Sequence, residues 1–87
     1  MEEVGNGISC QLYPNPTKEL ATLVLDAVNG LVHVSLVDVY GHVLTTDEVS
    51  CSNGCTHQID VRGLAKGIYF VRINTSSQSI VRKLIVE

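Results

Sequence analysis

Three histidines are the side chains in this 87-residue chain best suited to acid–base or metal chemistry. His33, His42 and His57 could combine with an aspartate and a serine or cysteine as a hydrolytic set, but no such nucleophile lies in a recognisable elbow sequence. The sequence also lacks a glycine-rich phosphate loop. We therefore predict that the chain is not an enzyme, has no catalytic residues and binds no cofactor.

The three cysteines raise the question of a disulfide bond or a metal site. Cys51 and Cys55 flank the turn-forming triplet Ser-Asn-Gly, so they could be bridged across a hairpin end in an oxidising compartment. Their three-residue spacer differs from the two-residue spacer common in zinc sites, so we predict no metal. Cys10 would then remain as a buried thiol.

Length and composition predict one small packed domain. Eighty-seven residues fall below the usual range of about 100–200 residues per domain. A hydrophobic content of 45% with only 17% charged residues excludes a disordered chain. A domain of this size buries only roughly 60% of its unfolded surface and has little stability to spare for a strained catalytic site, which favours binding over catalysis.

The charges are distributed unevenly along the chain. The net charge of −3 argues against nucleic acid as the main partner, because phosphate binding needs a concentrated basic surface. Eight acidic residues and one basic residue precede Arg62, whereas five basic residues and one acidic residue make up the rest. This basic C-terminal third is either a set of solvated strand faces or a docking surface for an acidic partner.

Targeting signals are not evident in the sequence. No apolar run approaches the ~20 residues of a membrane helix, and the acidic start at Glu2-Glu3 lacks the basic and apolar regions of a secretory signal. If the domain is exported, we expect its address to lie elsewhere, in a longer chain of which this is a piece. Residues 1–7 are interpreted as a tether and residues 8–87 as the domain.

Apolar residues recur at every second position, which is typical of strands with one buried face. Ala21, Leu23, Leu25 and Ala27 are predicted to share such a face. A second set is predicted to face inward at Val32, Val34 and Leu36, against outward His33 and Ser35. The same alternation predicts two more inward sets, Ile59 with Val61, and Tyr69 with Val71 and Ile73. The final run is less regular, because Ile80, Leu84 and Val86 share a face with Arg82, so this strand is predicted to be either bulged or covered on both sides.

Turn residues separate about seven predicted strands. The breakers are Asn29-Gly30, Gly41, Asn53-Gly54, Gly63, Gly67 and residues 74–77, and we expect them to close hairpins. The strands are predicted at residues 8–13, 20–27, 31–39, 42–50, 56–61, 67–74 and 78–86. This spacing without helical runs predicts an all-β, seven-stranded antiparallel sandwich with immunoglobulin-like architecture.

The segment Tyr13-Pro14-Asn15-Pro16-Thr17 is the most informative local motif. Two prolines fix φ and remove two backbone donors, so the first predicted strand ends in a rigid, extended kink. Asn15, which precedes a proline, is expected to avoid the helical region. From the residues alone this is a stiff connector between strands, with Tyr13 and Tyr69 buried and Tyr40 the one evident exposed aromatic residue.

Four segments together resemble a known family. They are the motif at residues 13–17, residues 38–44 around Gly41, residues 64–73 with Gly67 and Tyr69, and residues 83–86, which read Lys-Leu-Ile-Val. In this order they are similar to the C-terminal sorting domain (type A) of the bacterial type IX secretion system. The resemblance covers about Leu12 to Val86.

The resemblance implies a non-catalytic, seven-stranded sandwich placed last in an exported cargo protein of a Bacteroidota cell. It implies transit through the periplasm and across the outer membrane to the cell surface or exterior, often with cleavage by a sortase as the cargo is attached to lipopolysaccharide. The implied partners are the translocon, shuttle and sortase components and the N-terminal cargo domain. A cleaved bond would be sought between Met1 and Ile8.

The last strand is the candidate recognition element. We expect Lys83, with Arg82, Leu84, Ile85 and Val86, to contact the translocon or its shuttle, because an edge strand offers backbone pairing and side-chain pockets. Alternatively, Lys83 is a solvated residue that protects an edge. The segments at Tyr13–Pro16 and Gly67–Tyr69 are expected mostly to maintain the fold.

Two rival functions remain open. One is a surface adhesion or carbohydrate-binding sandwich, which would need an exposed aromatic platform, and Tyr40 is its one evident candidate. The other is a spacer module, which the composition does not exclude.

Overall fold

The computed structural model describes residues 9–87, and every regular element in that range is a β-strand. The strands are β1 (Ser9–Tyr13), β2 (Leu20–Asp26), β3 (Gly30–Val37), β4 (Val43–Cys51), β5 (Gly54–Asp60), β6 (Gly67–Asn74) and β7 (Ser79–Val86). This confirms the prediction of seven strands, with boundaries within two residues of those expected. The predicted tether and Ile8 lie outside the described residues. Between Ser9 and Glu87 there is no helix that could span a membrane.

The strands form two antiparallel sheets, as predicted for a sandwich. One sheet has the order β1-β2-β5 and the other β4-β3-β6-β7. In the constant-type immunoglobulin arrangement, the fourth strand lies beside the fifth, in the same sheet as the first and second strands. Here β4 instead pairs with β3, so it belongs to the other sheet, which has four strands.

Only some of the turn residues close hairpins. Gly41 and residues 74–77 lie in the hairpins β3–β4 and β6–β7, as expected. Asn29-Gly30, Asn53-Gly54 and the connection with Gly63 instead carry the chain from one sheet to the other. The prediction was wrong at these places because a turn residue marks a reversal of direction and not which sheet the next strand joins.

The core lies between the two sheets and is built from the alternating apolar positions. Its largest fully buried side chains are Leu23, Leu25, Val32, Val61, Val71, Ile73 and Leu84. Burial of these side chains from water is the main favourable contribution to folding. The inward faces predicted for β3, β5 and β6 are confirmed.

Three burial predictions were wrong, each for a local reason. Ala27 is exposed because β2 ends at Asp26, and a φ of 62° at Ala27 turns Val28 into the core instead. Ser35 is buried on the outer face of a strand flanked on both sides, with its hydroxyl 3.4 Å from that of Thr46. Tyr13 is 50% exposed because Leu12, paired with Leu23, takes the inward position.

The last strand, β7, is regular. It pairs with β6 from Ser79 to Val86 without a shift in register, so the predicted bulge is absent from this pair. Ile80, Leu84 and Val86 face the core, while Ile85 on the outer face is half-buried and Val81 is 51% exposed. The register shift in this sheet lies instead between β3 and β4, at Leu36/Val37.

Tyr69 fixes the connection between β5 and β6. The Tyr69 side chain is buried, and its hydroxyl donates a hydrogen bond of 2.6 Å to the Ala65 carbonyl. A tyrosine at this corner of immunoglobulin-like sandwiches ties the connection to the strand in the same way. Gly67, two residues earlier, has a φ of 150°, which L side chains rarely adopt.

A disulfide joins the two sheets. The Sγ atoms of Cys51, at the end of β4, and Cys55, in β5, are 2.03 Å apart, and the Cα atoms are 4.9 Å apart. The bridge therefore spans a crossing between sheets and not the expected hairpin end. Cys10 is half-buried against the core, and not fully buried as expected.

We expect Gly54→Ala to destabilise the fold more than the matched variant Gly63→Ala. Both glycines have positive φ, 111° and 88°, so an alanine costs about 1–2 kcal/mol at either position. At Gly54 the added Cβ would also lie 2.7 Å from the Leu25 carbonyl oxygen, whereas at Gly63 it would meet no atom within 4 Å. Urea denaturation of the two variants measures the difference, and equal midpoints would contradict this account.

Candidate functional site

The candidate site is β7, an edge strand of the four-stranded sheet. An edge strand leaves every second residue with a backbone N–H and C=O directed away from the sheet. On β7 these outward groups belong to the residues in phase with Ile85, which include Val81 and Lys83. What covers them decides which part of β7 a partner can reach.

Asn15 covers part of this edge with its side-chain amide. Its Nδ2 donates a hydrogen bond of 2.9 Å to the Lys83 carbonyl, and its Oδ1 accepts one of 3.0 Å from the Ile85 N–H. One side chain thus supplies the donor and the acceptor that a neighbouring strand would supply. The prolines on both sides have no N–H of their own. Both proline peptide bonds are cis.

Thr17 continues the cover with its backbone. The Thr17 N–H donates to the Ile85 carbonyl at 2.9 Å, and its carbonyl accepts from the Glu87 N–H at 2.8 Å. Thr17 is buried, and its hydroxyl donates to the Leu20 carbonyl at 2.8 Å. Asn15 and Thr17, which we call the edge clamp, therefore satisfy the outer edge of β7 from Lys83 to Glu87.

The other half of the edge has no strand beside it. Between Ser79 and Lys83, no other strand in residues 9–87 pairs with the outer side of β7. The Arg82 Nη1 donates to the Val81 carbonyl at 3.2 Å. The open backbone groups within residues 79–83 therefore include the Val81 and Lys83 N–H groups but not the Val81 carbonyl.

The side chains predicted to contact a partner differ in their burial. Leu84 and Val86 are buried, 0% and 3% exposed, so their side chains face the core in the closed sandwich. Ile85 and Arg82 are half-buried. Lys83 is exposed on the outer face, opposite Phe70 of β6.

The basic C-terminal third is also divided. The Arg62 guanidinium donates hydrogen bonds of 3.0 and 2.8 Å to the Asp60 carboxylate, and these lower the pKa of that carboxyl to about 2. By contrast, Lys66, Arg72 and Lys83 have no ion-pair partner within residues 9–87. The positive charge available to an acidic partner is therefore concentrated around β6 and β7.

Each histidine pairs with a different carboxylate. The pairs are His33–Glu48 at 2.9 Å, His57–Asp47 at 3.2 Å and His42–Asp38 at 3.4 Å. They lie on different strands and turns and do not come together as a hydrolytic set. The part of the chain that the structure describes contains no cluster of three or more potential metal ligands.

The turn between β3 and β4 presents Tyr40, which is 82% exposed. The Asp38 carboxylate accepts hydrogen bonds of 2.9 Å from the N–H groups of His42 and Tyr40, and the bond from His42 contributes most to lowering the pKa of Asp38. Gly41 donates its N–H to the Asp38 carbonyl at 3.1 Å and has a φ of 89°. These hydrogen bonds hold the backbone of the turn that presents the exposed Tyr40 ring.

The four motif segments meet at one end of the sandwich. The edge clamp holds the end of β7, whose Val86 pairs with Gly67 at the start of β6. Residues 38–40 and 65–69 line a cavity of about 350 Å³ at this end. Sequence reasoning missed the clamp, because its bonds join residues 68 and 70 positions apart. The available signal was a short polar side chain between two prolines.

Comparison with known protein families gives one match. A family model described as a secretion system C-terminal sorting domain matches residues 11–87. The match includes six strands in full and all of β1 after its first two residues. A comparison with curated proteins found no match.

We expect Asn15→Asp to weaken the fold at neutral pH. The carboxylate retains the acceptor for Ile85 but faces the Lys83 carbonyl without a proton, at an expected cost of about 1–2 kcal/mol. The neutral acid can donate to that carbonyl, which raises the pKa of the new carboxyl in the folded state. The loss of unfolding free energy relative to the unmodified domain should therefore grow as pH rises above ~4 and shrink in acid. Urea denaturation at several pH values measures this.

Asn74→Asp is the matched control for the clamp. Within residues 9–87 the Asn74 side chain makes no hydrogen bond. We expect no comparable loss of stability in this variant. An equal deficit in both variants, or a pH-independent one at Asn15, would contradict the role assigned to the clamp.

We expect NMR titration to place the pKa of Asp60 at about 2 and Arg62→Gln to raise it towards, but not to, the ordinary 3.8. The backbone N–H of residue 62 still donates to the carboxylate in this variant. Because the folded pKa is the lower one, the stabilising effect of the pair is present above pH 3.8 and is lost as pH falls through about 2. Lys66→Gln is the control, and an unchanged pKa in Arg62→Gln would contradict the assignment.

Proposed function

The chain belongs to the family of type IX secretion C-terminal sorting domains, and from this premise we propose that it directs an attached cargo protein across the outer membrane. Family membership supports a secretion sorting signal. We assign the domain no catalysis of its own. Its partners in this proposal are the translocon and shuttle components and a cargo domain attached before β1.

We further propose that the cargo reaches the cell surface or exterior and that a sortase removes the domain there. The bond to be cut would lie between Met1 and Ile8, outside the described residues. A cut before Ser9 would leave all seven strands together, so the domain could be released as a folded unit.

The observation that carries the proposal is the convergence of the family's motif segments on the end of β7. The edge clamp binds the strand from one side, and β6 with Gly67 pairs with it from the other. Lys83 is left exposed where the covered half of the edge meets the open half. We infer that β7 is the element the secretion machinery reads and that Lys83 is its main contact.

One observation favours a second candidate function. Tyr40 is 82% exposed beside the cavity lined by residues 38–40 and 65–69, and its ring lies 6.3 Å from that of His42. An exposed aromatic ring with polar neighbours is suited to adhesion or to carbohydrate binding. Binding to a glycan array that is lost in Tyr40→Ala, with the domain retained on the cell surface, would favour this function over sorting.

We expect Lys83→Glu to reduce export of a reporter fused before the domain in a host with a type IX system. Reversing an exposed charge leaves the core intact, whereas deleting residues 83–87 would also remove the buried Leu84 and Val86. A drop of about tenfold would correspond to ~1.4 kcal/mol of lost recognition. Surface and periplasmic fractions are compared by immunoblotting, with circular dichroism of each purified domain.

Lys18→Glu is the matched control, since Lys18 is also exposed and has no ion pair within residues 9–87. Its export should equal that of the unmodified domain. Normal export of folded Lys83→Glu would exclude Lys83 as the main contact. Failure of the unmodified domain to export the reporter would contradict the sorting function itself.

A further inference from the structure

The outer face of β6 and β7 carries four apolar and two basic side chains. In register, Ile68 lies opposite Ile85, Phe70 opposite Lys83 and Arg72 opposite Val81. We call these six residues the outer patch. Each of its cations has an apolar residue directly across the strand pair.

The two cations of the outer patch form no ion pair within residues 9–87. Arg72 and Lys83 are exposed and form no ion pair within the described residues. The sandwich can form ion pairs at its surface, since the guanidinium of Arg62 is bonded to Asp60 at 2.8 Å. The apolar members are also partly accessible, with Ile68 44% and Val81 51% exposed. This face therefore complements a partner that is both acidic and apolar.

The adjoining edge adds a requirement for backbone pairing. The Ile85 and Glu87 N–H groups point away from β6 and are bound by the edge clamp. The period of two along a strand directs the Val81 and Lys83 N–H groups to the same side. No strand in residues 9–87 lies beside them. A short open edge and a charged, apolar face thus meet at residues 79–83.

We infer that residues 79–83 bind an extended acidic segment of a partner protein by strand addition. The added strand places an acidic side chain beside Lys83 and an apolar side chain, two positions away, beside Val81. The clamp at Asn15 already occupies the Lys83 carbonyl, so pairing ends there and the added strand is short. The Arg82 side chain donates to the Val81 carbonyl, and the added strand replaces it as the donor. This inference rests on the proposed function only in assigning the partner to the secretion machinery.

A protein segment fits these features better than an anionic lipid surface. A lipid headgroup could neutralise Arg72 and Lys83, but it would not form the alternating backbone bonds that a strand edge offers. The period of two along β7 also matches a peptide in extended conformation. Lipid binding is therefore treated as a contrary outcome of the test.

The test uses the ¹⁵N-labelled chain titrated with two synthetic peptides, one repeating Glu-Thr-Val-Thr and the other repeating Lys-Thr-Val-Thr, so that the charged and apolar side chains lie two positions apart on one face of the extended peptide. We expect the glutamate peptide to shift the amide signals of residues 79–83 and to slow hydrogen exchange at Val81. The lysine peptide should bind about tenfold more weakly or not at all. Vesicles with anionic headgroups should leave these signals unchanged.

Two variants separate the contributions of charge and backbone. Lys83→Glu combined with Arg72→Glu should reverse the preference between the peptides, while Lys18→Glu should bind as the unmodified chain does. Val81→Pro removes an outward N–H without breaking a bond to β6 and should weaken binding of both peptides, since proline is tolerated on an edge facing solvent. Circular dichroism checks that each variant is folded.

The outcomes separate this inference from the proposed function. Equal binding of the two peptides, shifts confined to other strands, no binding, or binding to vesicles at these residues would each overturn strand addition, even if the reporter is exported. Selective binding of the glutamate peptide together with normal export of the doubly substituted domain would uphold strand addition. That result would also mean that the secretion machinery does not use this surface for export.

Discussion

The structure depends on hydrogen-bond partners for the backbone groups on the outer edge of its last strand, β7. Three of the eight residues of β7 are buried in the core, Ile80, Leu84 and Val86, yet the strand has a neighbouring strand on one side only. Asn15 and Thr17 supply the missing partner over its second half with four hydrogen bonds. Unpaired strand edges invite unwanted association, so covering this half limits the open edge to a defined segment.

The distribution of charge follows the same division. Acidic residues on β4 and β5 are paired with a histidine or an arginine, as in His33–Glu48, His57–Asp47 and Arg62–Asp60. Arg72 on β6 and Lys83 on β7 form no such pair within residues 9–87. Exposed ion pairs contribute little to stability. Their distribution matters for charge, because the acidic residues are paired elsewhere and the face that carries Arg72 and Lys83 keeps a positive charge.

The positions of the strands were predictable from the sequence. The sandwich followed from the spacing of the strands and from the family resemblance, but neither indicated which sheet each strand joins. Period-two alternation identified the inward faces of β3, β5 and β6, because water exclusion acts on each strand locally. The sheet that a strand joins depends on distant partners, so Asn29-Gly30 was wrongly expected to close a hairpin. The burial of Tyr13 failed because the register with β2, not the residue type, decides which face it occupies. The role of Asn15 was hidden for the same reason, since its partners lie near the other end of the sequence.

The bridge between Thr17 and Val86 also sets how the domain responds to mechanical load. β1 runs from Ser9 towards the edge clamp, and β7 runs towards the same end, so the start of β1 and the end of β7 lie at opposite ends of the sandwich. Tension between these two points acts along the strands. It loads the hydrogen bonds of each ladder together, in shear, and does not peel them one at a time. A sandwich pulled at these two points therefore resists unfolding better than one whose strands are separated from one edge.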